Sequence, residues 1–246
     1  MTRKMRTPLL ILALICMSIF IYLMQYWIFS RPVDTTFYFL QDLAFVPLSV
    51  LLVTLGINTV LNQRDRQAML EKVSIVVNEF YAEAGTELIA ELRGYIVNSA
   101  EISSALQMDA HWKDKDFHNA KTFVMSHKIK IEIGSNDLFR LRYLLTAKKD
   151  HLLRLFENAS LMEHDTFTDM LWAVYHVYDE LRSRDSFDSL PEPDIKHLEM
   201  DIQRATGLLL SEWIDSMRAL KGRYPYLYSL AVRKCPFTNG HIIIEK

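Results

Sequence analysis

The sequence predicts an all-α protein, with an N-terminal transmembrane helical hairpin followed by a cytoplasmic multi-helix bundle. Three observations predict it. Two long apolar stretches open the 246-residue chain. Beyond them apolar residues recur at three- and four-residue spacing, and only seven glycines occur in the whole sequence. The expected division is residues 1–61 for the hairpin and 62–246 for the helical domain.

The first apolar stretch, Pro8 to Phe29, carries no charge over about 22 residues, enough to cross a hydrocarbon core roughly 30 Å thick as a helix. The second, Phe37 to Leu61, contains Asp42 and Pro47 and is also long enough to span. A short turn, Ser30 to Thr36, joins them. Arg3, Lys4 and Arg6 precede the hairpin, Arg64, Arg66 and Lys72 follow it, and the turn holds only Arg31. By the positive-inside rule both termini belong in the cytoplasm. The first stretch is longer than a signal-peptide core and ends in Gln25-Tyr26-Trp27 without a small-residue cleavage site. Within the second, Asp42, Thr54 and Asn58 are the polar groups that a channel or a helix–helix contact would use, since polar side chains in hydrocarbon are costly and often functional.

The second stretch continues as a helix, because Met69, Leu70, Val73, Val76, Val77, Phe80 and Ala84 repeat at helical spacing and no breaker precedes Gly85. Further helices are expected at about 86–108, 116–130, 136–156, 165–183, 194–221 and 225–234. Breaks fall at Asp109-His111, Gly134-Ser135, Asn158-Ser160 and Ser186-Pro193. Lys128 to Ile133 and His241 to Ile244 alternate like strands but are too short to found a sheet. Lys221-Gly222 reads as a helix stop, and Tyr224-Pro225 as a restart.

Composition excludes several function classes. A net charge of −2 gives no footprint for nucleic acid. Cys16 lies inside the first expected span and Cys235 near the C-terminus, so a disulfide would need residues from different compartments and no redox framework is expected. The sequence has no phosphate-binding glycine loop, no Gly-x-Ser-x-Gly, no Cys-x-x-Cys and no His-Glu-x-x-His. No catalytic residue is therefore assigned, and the reading favours a non-enzyme.

Two helices carry polar chemistry. Between Asp165 and Arg182 an apolar face opposes a stripe of Asp165, Asp169, Trp172 and His176. The next helix aligns His197, Asp201 and Arg204 at i, i+4 and i+7. His164, just before the Asp165 helix, adds a third imidazole. If these stripes converge, His164, His176, His197 and Asp201 would hold a divalent metal, as inward-facing carboxylates and histidines do in helical bundles. Otherwise they are solvated faces and local helix pairs.

Five segments resemble a family of uncharacterised prokaryotic membrane proteins that have two membrane helices and a helical cytoplasmic domain. They are the run Asp42 to Leu55, Phe80-Tyr-Ala-Glu-Ala-Gly-Thr-Glu-Leu88, Leu161-Met-Glu-His-Asp-Thr-Phe167, Leu171-Trp-Ala-Val-Tyr-His176, and Tyr224-Pro-Tyr-Leu-Tyr-Ser-Leu-Ala-Val-Arg233 with Pro236-Phe237. Where the family reads Arg-Thr-Asn-Pro-Phe, this chain has Arg233-Lys-Cys-Pro-Phe237. The resemblance implies a multi-pass protein of the prokaryotic plasma membrane and no particular activity. The expected function is a membrane-anchored helical interaction or self-association module, a homo-oligomer in the lipid bilayer with a cytoplasmic protein partner. The alternatives are a metal- or ligand-binding enzyme or sensor, and an oligomeric channel lined by the second membrane helix.

Overall fold

The computed structural model describes residues 16–21, 23–24, 26–28, 32–162 and 164–237. Among them every regular element is helical, and the chain divides into two compact units, Met1–Arg66 and Gln67–Lys246. The alternating run expected at His241 to Ile244 lies outside the described residues.

Among the described residues no helix is long and apolar enough to cross a membrane. This overturns the two transmembrane helices, the multi-pass placement in a prokaryotic plasma membrane, and the cytoplasmic orientation of the termini. Of the first stretch, Pro8 to Phe29, residues 16–21, 23–24 and 26–28 are described and helical, and the rest lies outside the described residues. The second stretch is not an element of its own. It belongs to α1 (Pro32–Phe80), a 49-residue helix that also carries Asp34, Asp42, Arg64, Asp65, Arg66, Glu71, Lys72 and Glu79. This helix begins inside the expected turn, on a proline suited to a first helical position. The channel reading, which needs a spanning helix, loses its basis.

In the second unit α1 passes into a π-helical turn, Tyr81–Gly85, and then into α2 (Thr86–Arg93). The single helix expected at 86–108 breaks at Gly94 and resumes as α3 (Ser99–Ala105). The break is held by the alternating run at Lys128 to Ile133. Val97 N–H donates to the Lys130 carbonyl at 2.9 Å, Glu132 N–H donates to the Tyr95 carbonyl at 3.0 Å, and Ile96 forms an isolated antiparallel bridge with Ile131. Ile129 and Ile131 are buried while Lys130 and Glu132 are exposed, as the period-2 pattern requires.

Next come α4 (Asp114–Ser126) and α5 (Ser135–Phe156). Each starts with a carboxylate reaching back: Asp116 accepts from Lys113 N–H at 2.7 Å, and Asp137 from Gly134 N–H at 2.9 Å. Such bonds satisfy donors that a helix start leaves orphaned. The short α6 (Ala159–Met162) leads to α7 (Asp165–Arg182), α8 (Glu192–Arg223) and α9 (Pro225–Arg233). The expected stop at Lys221-Gly222 is overrun by a residue, and α8 ends where Tyr224 leaves helical geometry before Pro225.

The long α8 is the element on which the others pack: α7, α4, α9, α2 and the π turn all lie against it. Its C-terminal half is buried nearly all round, through Leu209, Leu210, Trp213, Ile214 and Met217. Phe80, Phe167, Met170, Leu171, Leu181 and Leu198 complete the centre of the core.

Candidate metal centre

The packing of α7 on α8 brings two polar stripes together. On α7 the apolar face of Phe167, Met170, Leu171, Val174, Val177, Tyr178 and Leu181 is buried, which leaves His176 and Glu180, one turn apart, at its flank. On α8 the buried Leu198 and Ile202 fix the rotation that carries Asp194, His197, Asp201 and Arg204 up to the same flank.

Both imidazoles reach one oxygen. His176 Nε2 lies 3.2 Å and His197 Nε2 3.3 Å from Asp201 Oδ2. Glu180 stands beside them, with Oε1 3.9 Å from His176 Nε2 and Oε2 3.8 Å from His197 Nε2. His176, Glu180 and Asp201 each offer a donor atom within 4.8 Å of the others. The Asp201 side chain is only 10% exposed, while the two imidazoles are near half.

Arginines occupy the outer oxygens. Arg204 donates to Asp201 Oδ1 at 2.9 Å, and Arg184 donates to Glu180 Oε2 at 2.7 Å. Arg184 also makes a two-point pair with Asp194, at 2.6 and 2.8 Å, a geometry suited to its planar fork. Hydrogen bonding to Arg184 holds the carboxyls of Glu180 and Asp194 below the usual carboxylate range, against the opposing effect of burial. These bonds to Asp194 and Glu180 push Arg184 up in turn. With neutral imidazoles, three carboxylates face two guanidiniums, which leaves one negative charge in excess.

One nitrogen from His176 and one oxygen each from Glu180 and Asp201 thus lie within 4.8 Å of one another, and His197 adds a nitrogen 3.3 Å from Asp201 Oδ2. At metal–ligand bonds of 2.0–2.2 Å, tetrahedral geometry sets neighbouring donors about 3.3–3.6 Å apart. The observed spacings bracket that range. The same spacing also serves an N–H···O bond from either imidazole to Asp201, and coordination at Nε2 would require that ring's proton to sit on Nδ1 instead.

Of the residues singled out in the sequence, His176, His197 and Asp201 come together and His164 does not. The His164 ring caps α7 instead, its Nδ1 accepting from Phe167 N–H at 3.3 Å. Asp165 and Asp169 are exposed. Trp172 is 54% exposed, its ring against Phe156 at 4.5 Å. Asp42 is exposed on α1, and the side chains of Thr54 and Asn58 lie outside the described residues. Sequence reasoning missed Glu180, although its i+4 spacing from His176 was a usable signal, and Arg184, which lies past the end of α7 and carried none.

The fold and this cluster define an all-helical protein with an imidazole–carboxylate centre between two packed helices. Residues 69–233 match the family model described as "Uncharacterized protein MJ1433, C-terminal helical domain", and residues 3–61 match "MJ1433, N-terminal helical domain". The chain belongs to the MJ1433 family. It is similar to Uncharacterized protein MJ1433 of Methanocaldococcus jannaschii, 40% identical over 247 residues that cover 100% of this chain and 99% of that one. No solved structure matches it. None of these descriptions names an activity.

Proposed function

We propose that the second unit is a divalent-cation-binding helical domain, with His176, His197, Asp201 and Glu180 as donors and a bound cation tying α7 to α8. The observation that supports this most is the meeting of two imidazoles, from different helices, on the single Asp201 Oδ2 at 3.2 and 3.3 Å. Borderline cations such as zinc suit a mixed nitrogen and oxygen set. Arg204 and Arg184 orient the carboxylates from outside, as outer partners do in metal sites. A sensor or stabilising role fits better than catalysis, because the one further carboxylate facing the centre, Asp194, is held at two points by Arg184.

Calorimetric titration of the full chain with zinc chloride tests the reading. One equivalent should bind, and a cation at about a hundred times its dissociation constant should add roughly 2.7 kcal/mol to stability. Arg204→Gln should weaken binding by about 10–100-fold, the usual effect of losing an outer partner. The double variant His176→Ala/His197→Ala should lose saturable binding. Stoichiometric binding that survives in the double variant would overturn the assignment.

A further inference from the structure

A second feature lies on the other side of α8. A cavity of about 620 Å³ opens between the stretch from Asn78 to Ala90, the C-terminal half of α8, and α9 with the turn after it. This is within the usual range of small-molecule sites, roughly 300–1,000 Å³. Its walls are mainly apolar: Trp213, Met217 and Leu220 from α8, and Leu227 and Leu230 from α9. The latter two are 40% and 36% exposed, since α9 turns its other side into the core through Tyr228.

Three side-chain polar atoms around this cavity have no partners. Among the described residues four buried side-chain polar atoms make no hydrogen bond, and three of them, Asn78 Oδ1, Ser216 Oγ and Arg233 Nε, belong to residues that line it. Ser216 is only 5% exposed. Leaving a buried polar group unsatisfied is costly, and native proteins keep few of them. Three of the four gather around this one cavity. Arg233 sends its Nη1 to Ser229 Oγ at 2.9 Å, which leaves Nε free and a full positive charge at the apolar wall. Lys234 adds a second positive charge, while the nearby Glu87 is already paired with Lys148 at 2.8 Å.

We infer that this cavity is a binding site for a carboxylate-bearing amphiphile, whose head is held by Arg233 and Ser216 and whose apolar body lies along Trp213, Met217, Leu227 and Leu230. With a turn of each side chain toward the cavity, Arg233 Nε and Ser216 Oγ both donate to the carboxylate. The Asn78 amide, whose oxygen and nitrogen exchange places by a half-turn of the side chain, supplies a third contact. The frame is tied down on the far side. Arg93 donates to the Pro236 carbonyl and lies over the Phe237 ring at 5.9 Å, and Cys235 Sγ points to the Leu106 carbonyl at 3.8 Å. The site does not share a residue with the His176–Asp201 centre and does not depend on it.

Equilibrium dialysis of the full chain against decanoate, below its micelle-forming concentration, tests the inference, with decanol and acetate as the body and head alone. One equivalent of decanoate should bind, and decanol and acetate should each bind at least tenfold more weakly. Arg233→Met should weaken decanoate at least tenfold and leave decanol unchanged. Ser216→Ala should weaken it severalfold while the unliganded protein melts no lower than the parent, because no internal hydrogen bond is removed. Absence of saturable decanoate binding would overturn the inference and leave a cavity that holds water only. Binding that Arg233→Met does not affect would overturn it equally.

Discussion

Single residues in this chain show how a local environment decides what a polar group does. Glu212 is buried in α8, and burial, with the nearby Asp215, pushes its carboxyl up from the usual range, partly offset by the Thr166 hydroxyl and by the charges of His164 and Lys121. Tyr81 faces it, but the Tyr81 hydroxyl is spent on the Leu209 carbonyl at 2.9 Å. A carboxyl whose folded pKa is raised favours folding fully below its unfolded value, near 4.5, and that contribution is lost as pH rises through the folded pKa. Glu212→Gln removes the charge and keeps a polar side chain, so it should raise the melting temperature at about pH 7, with the gain shrinking toward pH 4. A variant that melts lower at neutral pH would show Glu212 held by a charge partner. The same logic governs what was legible in the sequence. The spacings that align His176, His197 and Asp201 are fixed by helix geometry and could be read directly. The fate of His164 could not, because an imidazole at a helix start serves as a cap or as a ligand, depending on where the neighbouring helix lies.

At the scale of elements, most helices announced themselves through apolar periodicity, and the failures have physical causes. Residues 86–108 lack a proline, so the break at Gly94 was hidden; the backbone of 95–97 gains partners from 130–132 that no local pattern reveals. The π turn at Tyr81–Gly85 was equally silent, and its reason is packing. A Cβ on Gly85 would sit 2.5 Å from Tyr81 Cδ1 and 2.8 Å from Phe80 Cε1. Neither ring can retreat: Tyr81 and Phe80 are buried, and Phe80 meets Phe167 edge-on at 5.6 Å. Gly85→Ala gains the roughly 1 kcal/mol by which alanine outdoes glycine in a helix, but overpacking a fixed core costs typically 1–3 kcal/mol. The clash prevails, and the variant should melt several degrees lower. Gly222 offers the contrast, since it is also helical but nothing lies within 4 Å of the added carbon. Gly222→Ala should stabilise by about 0.5–1 kcal/mol. Thermal unfolding of both variants gives opposite signs if the π turn exists to seat the two rings, and the same sign if it does not.

At the scale of the whole molecule, burial on α8 organises the second unit, and the sequence showed this only in part. The length of α8 and its apolar content were visible, whereas its position at the centre follows from which other faces pair with it, a long-range fact. The second apolar stretch shows the reverse error, because hydropathy alone marks as an element what is part of the longer α1. The C-terminal segment is where this arrangement is most open to test. Tyr228, Cys235 and Phe237 are buried, and they connect elements distant in sequence. The Tyr228 hydroxyl donates to the Asp109 carbonyl at 2.7 Å, its ring meets Phe117 at 6.1 Å, and Phe237 lies 5.9 Å from Trp213. Full burial of each aromatic side chain is worth roughly 1.5–3 kcal/mol, a large share of the 5–15 kcal/mol by which domains are typically stable. A chain ending at Gly222 gives up both, and also exposes Trp213 and Met217 along α8. Since each kcal/mol moves the midpoint by about 2–4 °C at this size, that chain should melt about 10 °C or more below one ending at Phe237, or lose its cooperative transition. Equal melting of the two would mean that α9 rests on the domain without supporting it.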